Sequence, residues 1–254
     1  MDQRTLIQDE MLARPPSGAE RALFFDELLA QHSVSALQLA LQRADLTLQG
    51  ELHAVALALL PRPLEALQTR AAWFETQCAP AVFCLLHGNT AVLLVSGDET
   101  AALMARMSAG ARQLRAQLQA LDCETAVGVG GCHPGLEGLL LSCREARHAR
   151  GYAFSTGDTI LFDPELRRAA GTLRTDDCPT AEAIDSALQS GSESRAIALT
   201  AALFSCMRHK RVHVDECSRV LDQLHTRILA RLSPEEQLRA PHVLLPEQDA
   251  SLEE

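Results

Sequence analysis

The chain has 254 residues, 47% of them hydrophobic, and a formal net charge of -10 at pH 7. That length can bury a sizeable core, as one mid-sized domain with helical extensions or as two small domains. No apolar run approaches the roughly 18 residues that a membrane-crossing helix needs, and a single lysine, Lys210, in so acidic a chain argues against direct contact with nucleic-acid phosphates.

The polar opening Met1-Asp2-Gln3-Arg4 lacks the apolar stretch of a signal peptide, so a cytoplasmic protein with no membrane partner is expected. Residues 3 to 14 read as a short helix, stopped by the breaker Arg14-Pro15-Pro16-Ser17-Gly18. Ala19 to Gln31 follows with Leu23, Phe24, Leu28 and Leu29 on a helical stripe, and Val34 to Ala44 makes another helix with Ser33 or Ser35 as its cap. Neither helix can bury its stripe alone, so both should pack on the rest of the fold or on a second copy.

Leu52 to Leu60 is nearly all apolar, which suits an interior strand covered on both faces. Pro61-Arg62-Pro63 ends it and opens a helix to Gln77, in which Trp73 and Phe74 are expected to pack rather than to stack on a ligand. Two short apolar runs, 81–86 and 91–95, flank His87-Gly88-Asn89-Thr90, where Gly and Asn can supply the positive-φ positions of a tight hairpin. Glu99 to Leu121 is a long helix with Leu103, Met107, Leu114 and Leu118 on one side. Gly110 inside it costs about 1 kcal/mol relative to Ala and so marks a close contact. Thr125 to Gly131 reads as a glycine-ended strand, Pro134 opens an amphipathic helix, and Thr159 to Asp163 is a last strand.

The order βαββαβ over residues 52 to 131 predicts an α+β, ferredoxin-like domain with its helices on one face of an antiparallel-rich sheet. Beyond Pro164 only helical patterns appear, at 181–188, 193–208 and 214–232, with Ser192 as a cap, and the acidic end reads as a frayed, disordered tail. The expected organisation is a helical segment over 1–50, a central domain over 51–165 and a C-terminal helical segment over 166–254.

The eight cysteines have irregular spacing and no Cys-x-x-Cys, so buried reduced thiols account for most of them. Cys132, His133, Cys143 and His148 do not follow a zinc-site spacing, and no metal is expected. Cys132 and His133, adjacent on an extended segment, would point to opposite faces and make a poor nucleophile and base pair. Arg144, Arg147 and Arg150 share one helix face and read as solvated.

Several stretches together resemble the GGDEF superfamily of nucleotide-cyclase-like palms. They are Thr125-Ala126-Val127-Gly128-Val129-Gly130, Gly135-Leu136-Glu137-Gly138-Leu139, Ser142-Cys143-Arg144-Glu145-Ala146 and Tyr152-Ala153-Phe154-Ser155-Thr156-Gly157. The likeness is greatest to the degenerate GGDEF-like region of two-component response regulators that carry an AraC-type DNA-binding domain. The resemblance implies a hairpin signature Gly-Gly-Asp-Glu-Phe, but Gly88, Asn89 and Thr90 stand where it has Asp, Glu and Phe, with His87 in place of a glycine. It also implies a metal-binding acid at the end of the first strand, and 53–61 contains none. Two magnesium ions need hard anionic oxygens, so a non-catalytic, cofactor-free domain is expected.

The resemblance further implies a regulatory role in transcription, exercised as a homodimer, with DNA reached only through a helix-turn-helix domain that is not visible in this chain. The receiver domain of such regulators is not visible either. An alternative is a small-molecule sensor, in which a nucleotide or similar ligand meets His87, Gly88 and Asn89, although Gly and Asn at a turn are also explained by backbone geometry alone.

Overall fold

The computed structural model describes residues 18–44, 46–77, 81–153, 160–163, 166 and 178–232. The helix expected over 3–14, its breaker up to Ser17, the 154–159 exit from the last central helix and the acidic tail lie outside the described residues. The chain divides into two compact units, the described parts of which are 18–150 with 160–163, and 151–153 with 166 and 178–232.

The first unit is α+β. Its elements run α1 (Gly18–Ala30), α2 (Val34–Arg43), β1 (Leu52–Leu59), α3 (Glu65–Gln68), α4 (Ala71–Gln77), β2 (Ala81–Leu86), β3 (Thr90–Gly97), α5 (Thr100–Gln119), β4 (Val127–Val129), β5 (His133–Pro134), α6 (Gly135–Arg150) and β6 (Ile160–Phe162). The sheet order is β2-β3-β1-β4-β6, with the short β5 paired to β1. All pairings are antiparallel except β4 with β6.

β1 is the central strand, pairing with β3 along its whole length, from Leu52 opposite Gly97 to Leu59 opposite Thr90. Its residues alternate in kind. Ala54, Ala56 and Ala58 face one core with Phe83, Leu85, Leu93 and Val95, under Leu67 and Phe74 of α3 and α4 and Leu103, Met107 and Leu114 of α5. Val55 and Leu57 face a second core with Val92 and Leu94, under Phe24, Phe25 and Leu28 of α1, Leu37 and Ala40 of α2, and Leu139, Cys143 and Ala146 of α6. Helices therefore cover both faces of the sheet, not one as the simple ferredoxin-like pattern predicts. The physical reason is that β1, β2 and β3 are continuously apolar rather than alternating, so neither face can be left in water. The stripe of α1 and α2 finds its cover on this second face.

Ser33 is the cap of α2, its Oγ accepting the Ala36 N–H at 3.1 Å. Trp73 packs edge-on against Phe74, and Phe74 stacks on Phe83 at 4.5 Å between ring centres. Arg147 departs from its expected solvated role, since its guanidinium donates to the Leu29 carbonyl in the last turn of α1, where a cation also meets the negative end of the helix dipole. α6 starts at Gly135 rather than Pro134, because Pro134 is spent pairing with Leu52 in β5.

The second unit holds α7 (Ala181–Gln189), α8 (Glu193–His209) and α9 (Val214–Leu229) around Ile184, Leu203, Met207, Val212, Cys217 and Leu224. Thr180 caps α7 by accepting the Ala183 N–H at 3.2 Å. Asp185 of α7 holds Arg231 at 2.5 Å, and that guanidinium keeps the Asp185 carboxyl below its ordinary value. Cys178 and Cys206 form a disulfide with their Cα atoms 5.8 Å apart, which corrects the expectation of reduced thiols at these two positions. Cys84, Cys123, Cys143 and Cys217 are free and buried.

Leu93 is fully buried in the middle of β3 against α5. Leu93→Ala should cost about 2–5 kcal/mol of unfolding free energy through lost transfer energy and the cavity left behind, read from urea unfolding curves of the variant and the parent chain.

Candidate functional site

The hairpin between β2 and β3 closes through Asn89 N–H donating to the Leu86 carbonyl at 3.0 Å. His87 and Gly88 take positive φ, 47° and 74°, the two central signs of a type I′ turn. The positive-φ positions are thus His87 and Gly88, one residue earlier than the Gly-Asn pair predicts. Asn89 is released to begin the approach to β3.

The loop that follows β1 lies on this tip. Leu60 N–H donates to the Asn89 carbonyl at 2.6 Å, and Leu64 N–H donates to the Gly88 carbonyl at 2.9 Å. A Cβ on Gly88 would come within 3.1 Å of Pro63 Cβ, so glycine is required here by space as well as by φ. His87 Nε2 lies 3.0 Å from Asp26 Oδ1 of α1, an exposed pair worth little in energy. Thr90 Oγ1 donates to Asn89 Oδ1 at 3.3 Å.

The structure brings together the two places where the resemblance implies metal ligands, the end of β1 and the hairpin tip. The side chains there are Leu60, Pro61, His87 and Asn89, and the nearby carboxylate of Asp26 rests on an imidazole. Asp26 has no signal in the sequence, because it sits in an ordinary amphipathic helix 61 residues from its partner.

A second polar group, unforeseen from sequence, lies along α6. Glu145, buried, accepts the Gly131 N–H at 2.7 Å and stands 2.8 Å from His133 Nε2. Ser142 Oγ accepts the Val55 N–H at 2.9 Å, completing the β1 ladder beyond the end of β4. Side chains at Gly128 and Gly130 would strike the carbonyl oxygens of Ala146 and Ser142, one helical turn apart on α6. The glycine-ended strand is therefore a bed for a closely packed helix, and Ser142 and Glu145 satisfy the backbone groups that this proximity exposes.

The four residues weighed as a zinc set go to separate partners. Cys132 packs with the α5 face of the sheet and Cys143 with the opposite face, His133 meets Glu145, and His148 lies 2.5 Å from Asp163. Burial pushes the Cys132 thiol up, against a smaller lowering by its hydrogen bond with Thr100, so at neutral pH it is a thiol rather than a thiolate. No group of three His, Cys, Asp or Glu side chains that could hold a metal occurs among the described residues.

In the helical unit a cavity of about 210 Å³ is floored by Leu203, Met207 and Val212 and rimmed by Glu216 and Arg219. Arg219 Nε donates to Glu216 Oε2 at 3.0 Å, and that bond holds the carboxyl of Glu216 below its ordinary value. The rim charges are mutually compensated.

Residues 30–152 match the family model of the GGDEF-like domain, so this chain contains a GGDEF-like domain that takes in α2 to α6 and the sheet up to β5. A comparison with curated proteins found no match.

His53, at the start of β1, is buried with Nδ1 2.9 Å from Ser96 Oγ, and burial lowers its pKa. The unfolded chain takes up this proton near pH 6.5 while the folded chain resists it, so stability contributed by neutral His53 is lost as pH falls below about 6.5. The melting temperature should fall between about pH 7 and pH 5, and His53→Gln should flatten that limb of the curve.

Proposed function

We propose that the GGDEF-like domain of this chain is a non-catalytic regulatory module, which passes a signal through a cytoplasmic, homodimeric transcriptional regulator of the AraC-type response-regulator kind. One observation carries the reading: where the resembling cyclases hold magnesium with carboxylates, this chain offers Leu60 and Pro61 at one position and Gly88 and Asn89 at the other. A triphosphate and its metals need anionic oxygens to balance their charge. Asn89 is neutral, and its backbone carbonyl, like that of Gly88, already accepts an N–H from the loop after β1.

What remains is a rigid sheet with helices on both faces, suited to holding flanking elements in fixed positions. The net charge of -10 favours leaving DNA contact to a separate helix-turn-helix domain. Incubation of the chain with GTP and magnesium should give no cyclic dinucleotide by chromatography. Any such product above a no-protein control overturns the reading.

The second reading, a small-molecule sensor, is favoured by the cavity among α7, α8 and α9. Its volume of about 210 Å³ is below the roughly 300–1,000 Å³ usual for ligand pockets, which is why the regulatory reading is preferred. Under it, nucleotides added at millimolar concentration leave the melting temperature unchanged. A dose-dependent rise would favour the sensor, because a ligand that binds only the native state stabilises it by mass action.

A further inference from the structure

Two large apolar side chains on α8 face outward, Ile197 at 63% exposure and Phe204 at 40%. At 3.6 residues per turn, positions 193, 197, 201, 204 and 208 of that helix fall on one stripe. All five are exposed, while Ala196, Leu203 and Met207 turn inward to the core of the helical unit. Read along the helix, the stripe is Glu193, Ile197, Ala201, Phe204, Arg208, with Thr200 beside Ala201. It is a palindrome in spacing: from either end the order is a charge, a large apolar group and a small residue, and the midpoint falls between Thr200 and Ala201. The two charges are opposite. Neither is drawn into an ion pair within the chain among the described residues.

We propose that this stripe of α8 is a self-association surface, on which α8 of a second copy docks antiparallel about a two-fold axis passing between Thr200 and Ala201. In that register Ile197 meets Phe204 of the second copy, and symmetry repeats the contact, as an isologous interface requires. Glu193 faces Arg208 of the second copy at both ends. Thr200 and Ala201 at the crossing are small enough to let the helices approach. A parallel pairing would set Glu193 against Glu193 and Arg208 against Arg208, so the charges select the antiparallel arrangement. One helix pair is a small interface, and its dissociation constant should be on the order of micromolar.

The proposal rests on the homodimer reading above and deepens it by naming the surface. Sedimentation equilibrium of the full chain tests both. The parent chain should dimerise, and Ile197→Asp should weaken the dimer about tenfold or more. Glu193→Arg and Arg208→Glu should each weaken it, and the double variant E193R/R208E should recover it, because the attraction is restored with its sign exchanged. These positions are exposed, so thermal unfolding of each variant should match the parent and exclude misfolding as the cause. A parent chain that stays monomeric overturns both this surface and the homodimer reading. A dimer indifferent to the α8 substitutions overturns the surface alone, and charge reversals without recovery in the double variant overturn the antiparallel register.

Discussion

The sheet-bearing unit depends on β1, an eight-residue strand paired with β3 along its length and with β4 and β5 along parts of its other edge. Being apolar on both faces, it commits the chain to two helical layers: α3, α4 and α5 against its alanines, and α1, α2 and α6 against Val55 and Leu57. The alanine side brings the backbone of the sheet near α5, and the larger side chains opposite fill the wider space under α1, α2 and α6. Where β4 stops, Ser142 of α6 takes over the hydrogen bond that the ladder would otherwise lack.

The intimate fit of α6 on β4 gives a physical meaning to the motif by which the domain is recognised. Gly128 and Gly130 are absent side chains, and what occupies their place is the helix backbone at Ala146 and Ser142. Glu145 then closes the turn at Gly131 and His133. A stretch that in sequence resembles a nucleotide-handling element is, in this chain, a packing device whose polar members have structural partners. The metal-ligand positions of the resembling cyclases converge as expected while carrying side chains of a different chemical kind.

Much of this fold was legible because its signals are local or periodic. The uninterrupted run of β1, the glycine at the hairpin and the stripe of α5 each predict an element within a few residues, and Ser33 is a cap that its position before α2 announces. The parts that could not be read are tertiary. β5 is only two residues long and exists because β1 offers it an edge. Arg147 has the look of a surface residue until the C-terminal end of α1 is placed over it. The pairing of Cys178 with Cys206 requires knowing which helices meet. The candidate site was legible in its composition but not in its closure: nothing before folding indicates that Leu60 and Leu64 donate to the hairpin carbonyls or that Asp26 meets His87.

Gly88 answers three separate demands: a left-handed backbone, close quarters with Pro63 and a carbonyl aimed at the Leu64 amide. Such a residue would persist through evolutionary drift whether or not anything ever bound beside it. Retention of the tip glycine is thus weak testimony of surviving chemistry in chains that turn this way. The neighbouring positions, which geometry leaves free to vary, are the ones whose identity records what selection still asks of the molecule.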